Sequence, residues 1–374
     1  MQTIEHWIDG RAVAGVSGDT APVFDPATGR EQSRVTLGTA ADVDAAVQAA
    51  SRAFDEWADS SLSRRTRVLF AFRDLLERHE DELARLISAE HGKTVADARG
   101  EVVRGREVVE FACGIGDVLK GGYSDQVSGG VDVHDFRQPL GVVAGITPFN
   151  FPAMVPMWMH PVALACGNTF VLKPSERDPS AANLVARLYA EAGLPDGVFN
   201  VVHGDRAAVE AVLDHPGIEA VSFVGSTPVA RSIHERASAA GKRVQALGGA
   251  KNHAVVLPDA DPAYAAGQIA SGAYGSAGER CMAVSVAVAV GEAGDALVRE
   301  LEAAARAVKV GPGDAEDTEM GPLVTEEARQ RVEAAVGTAA AQGATVVVDG
   351  RGLKVAGHED GFFTGPTLLD RVAT

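Results

Sequence analysis

Five short apolar runs in the middle of the chain restrict its fold most: GVVAGITP (141–148), TFVLKPS (169–175), GVFNVVHG (197–204), AVSFVGS (220–226) and KRVQALGG (242–249). Runs of this kind suit strands buried on both faces. Helical stretches such as Ala181 to Ala192 and Ala207 to Leu213 lie between them. Strand alternating with helix predicts an α/β fold with a parallel, doubly wound sheet and right-handed crossovers. Such sheets bind ligands at the carboxyl ends of their strands.

The flanking regions read differently. His6 to Arg34 has the pattern of short strands broken by Gly, Asp and Pro. Thr39 with Asp42 offers a helix cap, and Val43, Val47, Ala50, Phe54 and Trp57 follow at helical spacing. A longer helix is expected from near Ser63, with Val68, Phe72, Leu76, Leu83 and Ile87 on one face and Gly92 ending it. A third covers roughly Val95 to Leu119. Between Gly121 and Leu140, Tyr123, Val127, Val131, Val133 and Phe136 surround a Gly129-Gly130 pair. This is a projecting hairpin, either an ordinary surface element or an oligomerisation arm. A second α/β unit follows Gly249, with NHAVVLP (252–258), a helix from about Pro262, MAVSVAVAVG (282–291) and a helix through Val310. At 374 residues, two lobes are expected in any case.

A net charge of −17 argues against nucleic acid or an anionic membrane as partner. An anionic substrate would then need its own local cationic pocket. Cys113, Cys166 and Cys281 lie far apart, without CxxC or Cys/His spacing. No disulfide scaffold or metal site is expected, and a reduced compartment fits better. The opening MQTIEHWIDG has acids and no apolar core, so it does not read as a signal peptide. With no apolar run long enough to span a bilayer, a soluble cytoplasmic protein is the expectation.

Four segments carry possible chemistry. The GxGxxG dinucleotide fingerprint is absent: Gly114-Ile115-Gly116 comes closest, with Leu119 where the third glycine belongs. In GERCMA (278–283), Cys281 follows a small-residue run and sits beside Arg280, a cation that favours thiolate; the bland alternative is an inert buried thiol. In TPFNFP (147–152), Asn150 either donates to a developing oxyanion or stabilises a turn. In KPSERDPS (173–180), Lys173 and Glu176 either clasp a ribose or form a solvated charge cluster. In FVGST (223–227), Ser226 either meets a pyrophosphate at a helix start or simply caps that helix.

In this order, from about Trp7 to the last residue, these segments resemble the aldehyde dehydrogenase superfamily. PMWMHPVALACGNTFVLKPSERDPS (156–180) and GERCMA resemble its CoA-acylating methylmalonate-semialdehyde branch. The resemblance implies two doubly wound α/β domains with a β-hairpin oligomerisation arm. Residues 1–120 and 138–247 would bind NAD, 121–137 would be the arm, and 248–374 an incomplete catalytic domain. It makes Cys281 the nucleophile, with Asn150 and the Cys281 N–H as oxyanion hole. Lys173 and Glu176 would hold the adenosine ribose with Arg177 nearby, and Ser226 would sit near the pyrophosphate. Thr147, Phe149 and Gly248 would line the cofactor channel. NAD is the implied cofactor, coenzyme A the acyl acceptor, and a homodimer or homotetramer the implied assembly.

Two departures from the wider family are informative. Ala246 stands before Leu247-Gly248-Gly249, where hydrolytic members carry a glutamate that activates water. Alanine cannot abstract a proton, so release to a thiol is favoured over hydrolysis. The family's downstream E-x-F-G-P motif is missing, and the chain is expected to be cut short before it. A carboxylated aldehyde in so acidic a protein calls for arginine, with Arg280 and Arg104 as candidates. The rival expectations are a hydrolytic NAD(P)-dependent aldehyde dehydrogenase and an inactive truncated subunit.

Overall fold

The computed structural model describes residues 2–372. The chain forms two compact units. The first takes residues up to Ala21, Arg34–Leu83 and Gly100–Gly248; the second takes Pro22–Ser33, Ala84–Arg99 and the chain from Gly249 onward.

The first unit is built on a seven-stranded sheet. Its strands are β1 (His6–Ile8), β2 (Arg11–Val13), β3 (Val142–Ile146), β4 (Thr169–Lys173), β5 (Phe199–Val201), β6 (Ala220–Val224) and β7 (Arg243–Leu247), in the order β7-β6-β3-β4-β5-β1-β2. β7 through β5 run parallel, as the apolar runs predicted. β1 joins them antiparallel and turns into β2 through Asp9-Gly10, both at positive φ, the backbone of a tight two-residue hairpin. One correction concerns β7. It was expected to be buried on both faces, but as an edge strand it exposes Arg243, Gln245 and Leu247 and turns Val244 and Ala246 inward.

Helix Ala40–Ala58 covers one face of the sheet. Its start is held by Asp42, whose carboxylate accepts from the Thr39 N–H and hydroxyl. Val43, Ala46, Val47 and Ala50 then pack with Val142, Ala144, Ile146, Val171 and Val221. The single long helix expected from Ser63 to Gly92 is two, Leu62–Arg78 and Glu80–His91. The break falls at His79, where Glu80, Asp81 and Glu82 favour a new helix start and the His79 ring meets Glu82 at 2.7 Å. The third helix stops at Cys113, with a four-residue turn beyond Gly114. The hairpin pairs Tyr123–Ser128 with Val131–His134, and both strands are exposed throughout.

In the second unit, β8 (Asn252–Val256) and β9 (Val284–Ala289) form a parallel pair. Helices Pro262–Tyr274 and Ala293–Ala307 cover it through Ala266, Ile269, Leu297 and Leu301. Asp261 accepts from the Ala263 and Tyr264 N–H groups and starts the first of these helices. Gly313 and Gly321 lie against the backbone of Gly92 and Lys93, where a Cβ would come within 2.3 Å of a carbonyl oxygen. Among the described residues, no helix is long and apolar enough to cross a membrane.

Two histidines sit inside the first unit with their pKa driven down to about 3 by burial, His160 and His203. Both are fully buried; His160 Nδ1 meets the Tyr189 hydroxyl at 2.8 Å. Unfolding restores an ordinary pKa near 6.5, so the unfolded chain takes up protons that the fold refuses. The stability present above pH 6.5 is therefore lost as pH falls from there towards 3. At pH 5 the loss is about 2 kcal/mol per histidine. Urea unfolding at pH 7 and pH 5 should show the native chain losing about that much more than His203→Gln over the same interval.

Candidate active site

The carboxyl ends of β3, β4, β6 and β7 meet along one edge of the sheet. Ile146 lies opposite Lys173 and Phe223, and Val224 opposite Leu247. Two hydrogen bonds extend the ladder past the strands, from Thr147 N–H to Lys173 O and from Gly225 N–H to Leu247 O, each 3.1 Å. Thr147, Lys173, Ser226 and Gly248 thus emerge side by side although they are far apart in sequence.

What they present is suited to a dinucleotide. A side chain at Gly225 would meet the Phe223 ring at 2.4 Å, and one at Gly248 would meet Thr227 Oγ1 at 2.9 Å. A side chain at either position would displace its neighbour, and the bare backbone there permits close approach of a phosphate. Helix Thr227–Ala239 starts at this point, and the Ser226 hydroxyl does not cap it. The plain capping role left open by the sequence is not taken. The start of such a helix favours anions. Lys173 is 5% exposed, with Nζ 3.3 Å from Glu176 Oε2. The Arg177 guanidinium lies over the Phe149 ring at 5.4 Å, tying the two loops together. Thr147 Oγ1 is buried without a hydrogen-bond partner among the described residues, a hydroxyl that a bound ligand could satisfy.

The segment carrying Asn150 is held from below. Fully buried Glu101 accepts from the N–H groups of Ala153 (2.8 Å) and Met154 (3.1 Å), at the start of the short helix Met154–Met157. Gly105 lets this helix close in, since a Cβ there would lie 2.3 Å from Met157 Cε. Arg104, three residues from Glu101, places its guanidinium 5.9 Å over the Phe151 ring. Sequence reasoning picked Arg104 and passed over Glu101. An acid between Ala98 and Val102, both wholly buried, was the available signal.

Cys281 belongs to the second unit, where it is exposed. The turn before β9 holds three consecutive left-handed residues, Ser276 (φ 52°), Ala277 (φ 51°) and Gly278 (φ 77°). At the two non-glycine positions such backbone costs about 1–3 kcal/mol each. Arg280 pairs with Asp97, and its guanidinium lies on Gly275, where a Cβ would be 2.6 Å from its atoms. Glu279 Oε2 stands 3.8 Å from His91 Nε2, but burial holds that ring's pKa well below its usual value, so the contact is not an ion pair. Asn252 Nδ2 donates to the carbonyls of Cys281 (2.8 Å) and Ala283 (2.9 Å).

The structure therefore gathers Thr147, Phe149, Lys173, Glu176, Arg177, Ser226 and Gly248 at the strand ends of the first unit, with Asn150 in the same loop as Thr147. It places Arg280 beside Cys281 in the second. Gly114-Ile115-Gly116 lies at a helix break and follows no strand.

Comparison with known proteins adds five findings. The model of the aldehyde dehydrogenase family matches residues 13–374. The malonate-semialdehyde dehydrogenase of Pseudomonas aeruginosa is 53% identical over 373 residues, 100% of this chain and 75% of that protein. The rat mitochondrial acylating methylmalonate-semialdehyde/malonate-semialdehyde dehydrogenase is 46% identical, over 100% of this chain and 69% of its own length. Among solved structures, a Sinorhizobium meliloti protein in complex with NAD superposes with a TM-score of 0.98 at 50% identity, covering 100% of this chain and 76% of its own. The methylmalonate-semialdehyde dehydrogenase of Oceanimonas doudoroffii gives 0.98 at 53% identity, over 100% and 76%.

Removing the buried Glu101 acceptor should be costly. Glu101→Ala is expected to lower the stability of the chain by about 1–3 kcal/mol, read from urea unfolding, because two buried amides lose their acceptor.

Proposed function

Since the chain belongs to the aldehyde dehydrogenase family, we propose that it oxidises malonate semialdehyde or methylmalonate semialdehyde and passes the acyl group to coenzyme A. The observation that carries the acylating part is Ala246, on the inward face of β7 just before Leu247-Gly248. No general base stands there to activate water. The names of the relatives, one of them acylating, support the same reading.

In this reading the first unit holds NAD and the second carries the nucleophile. The Cys281 sulfur adds to the aldehyde carbon, and the oxygen, now negative, accepts from the Asn150 side-chain amide and the Cys281 N–H. NAD, when bound, accepts the hydride that leaves this carbon. Lys173 and Glu176 grip the adenosine ribose, while Thr147, Phe149, Arg177, Ser226 and Gly248 line the rest of the cofactor's course. Glu176 favours NAD over NADP, because a carboxylate near the ribose repels a 2′-phosphate. The acyl group is left as a thioester on Cys281. The coenzyme A thiol then attacks it; the new C–S bond forms as the bond to Cys281 breaks, and the Cys281 thiolate is released. Methylmalonate semialdehyde would yield propionyl-CoA and CO2, and malonate semialdehyde acetyl-CoA and CO2: at a thioester stage the C–C bond to the carboxylate breaks, CO2 leaves, and the α-carbon takes up a proton in its place.

Of the two arginines proposed for the substrate carboxylate, Arg104 is favoured. Its side chain is exposed and its guanidinium lies over the Phe151 ring, and a guanidinium can pair bidentately with a carboxylate. Arg280 already pairs with Asp97 and would have to exchange one carboxylate for another. The hairpin of residues 121–137 is proposed as a self-association arm in a dimer or tetramer, which its exposed Tyr123, Val127, Val131 and Val133 support. The three free cysteines of the chain, Cys113, Cys166 and Cys281, fit the reduced cytoplasm.

NADH formation with malonate semialdehyde, with and without coenzyme A, tests the reaction. Turnover that needs coenzyme A and gives an acyl-CoA is expected, and Cys281→Ala should abolish it. A free acid formed equally well without coenzyme A would favour the hydrolytic alternative. Arg104→Leu should raise KM for the carboxylated aldehyde by about 10- to 100-fold, the worth of a charge-assisted pair, and leave an uncharged aldehyde unaffected.

A further inference from the structure

We propose that Asn252 is the positioning residue of the nucleophile: its side-chain amide fixes the direction of the Cys281 thiol and N–H by holding the carbonyls of Cys281 and Ala283. This rests on the reading of Cys281 as nucleophile, and every contact involved lies within the second unit.

Cys281 is exposed, so packing does little to orient its side chain. Its orientation must come from its backbone. Before it, Arg280 is anchored to Asp97, and the Arg280 carbonyl accepts from the Ala283 N–H at 3.0 Å, closing a turn around the cysteine. After it, the Asn252 amide spends its two protons on two carbonyls, that of Cys281 at 2.8 Å and that of Ala283 at 2.9 Å. Cys281 is thus pinned on both sides.

The placement of Asn252 follows from the ladder. It opens β8, opposite Val284, and the register slips between Asn252 and His253. Irregularities of this kind interrupt pairing and re-aim side chains, and they recur beside active sites. Here the side chain supplies hydrogen bonds to the turn just where the regular ladder begins. The requirement is chemically narrow. Aspartate has the same shape but no protons to give; alanine has neither; glutamine has the protons one methylene too far out.

A test without the nicotinamide cofactor uses p-nitrophenyl acetate. The Cys281 thiolate attacks its carbonyl, the C–S bond forms, the C–O bond breaks, and p-nitrophenolate leaves in a burst of one per active thiol. That step needs the oxyanion held by a correctly aimed N–H. Alkylation by iodoacetamide needs only an accessible thiolate. Asn252→Ala and Asn252→Asp should slow the burst by about 100-fold, the cost of misaiming a reacting group, while alkylation of Cys281 changes by less than about twofold. Asn252→Gln should recover part of the burst rate. Burst rates unchanged in both variants would overturn the proposal. A burst that survives Cys281→Ser would instead overturn the nucleophile assignment. Should the variants fail to fold, the native chain decides: the Asn252 side-chain amide protons should exchange slowly by NMR, and exchange as fast as in free asparagine sinks the idea.

Discussion

The candidate cofactor site depends on the parallel backbone ladder joining β7, β6, β3 and β4. Parallel strands end on one side, so the chain is delivered to the same edge after Ile146, Lys173, Val224 and Leu247. The bonds from Thr147 to Lys173 and from Gly225 to Leu247 carry that alignment one residue further, into the loops. Burying Lys173 to 5% exposure is tolerable because Glu176 stands 3.3 Å from its ammonium. Without the common strand ends, these residues would be unrelated features of a long chain.

The second unit solves a different problem. Cys281, the proposed nucleophile, is exposed, so burial does not hold it in place. Its surroundings compensate: Arg280 is anchored to Asp97, Glu279 lies against a neutral His91, and Asn252 grips the backbone beyond. Arg280 also shows that a cation beside an exposed thiol can already have its partner within the fold. Its position in the sequence suggested a carboxylate partner, and the fold supplies one from within.

The alternation of apolar runs with helices made the sheet legible, because strands buried on both faces leave few polar positions. β7 was misjudged for a reason the composition hides. Val244 and Ala246 meet the core, whereas Arg243, Gln245 and Leu247 face outward, and a five-residue window reads as apolar either way. The break at His79 was missed because Leu83 and Ile87 continue the buried face across it. Within the candidate site, side chains chosen for their chemistry were visible from sequence. Those that only hold others, Glu101 and Asn252, were not. Their partners are backbone groups, which every residue possesses, so no pairing of residue types betrays them.

Ser276 and Ala277 have a further consequence. Glycine at either position would adopt the same left-handed backbone without steric cost. It would also admit many other conformations, in the folded turn as in the unfolded chain. A residue with a Cβ has far fewer alternatives once neighbouring contacts have forced it there. The turn therefore occupies a high but narrow well: thermodynamic ease is exchanged for stiffness, directly upstream of the thiol proposed to react.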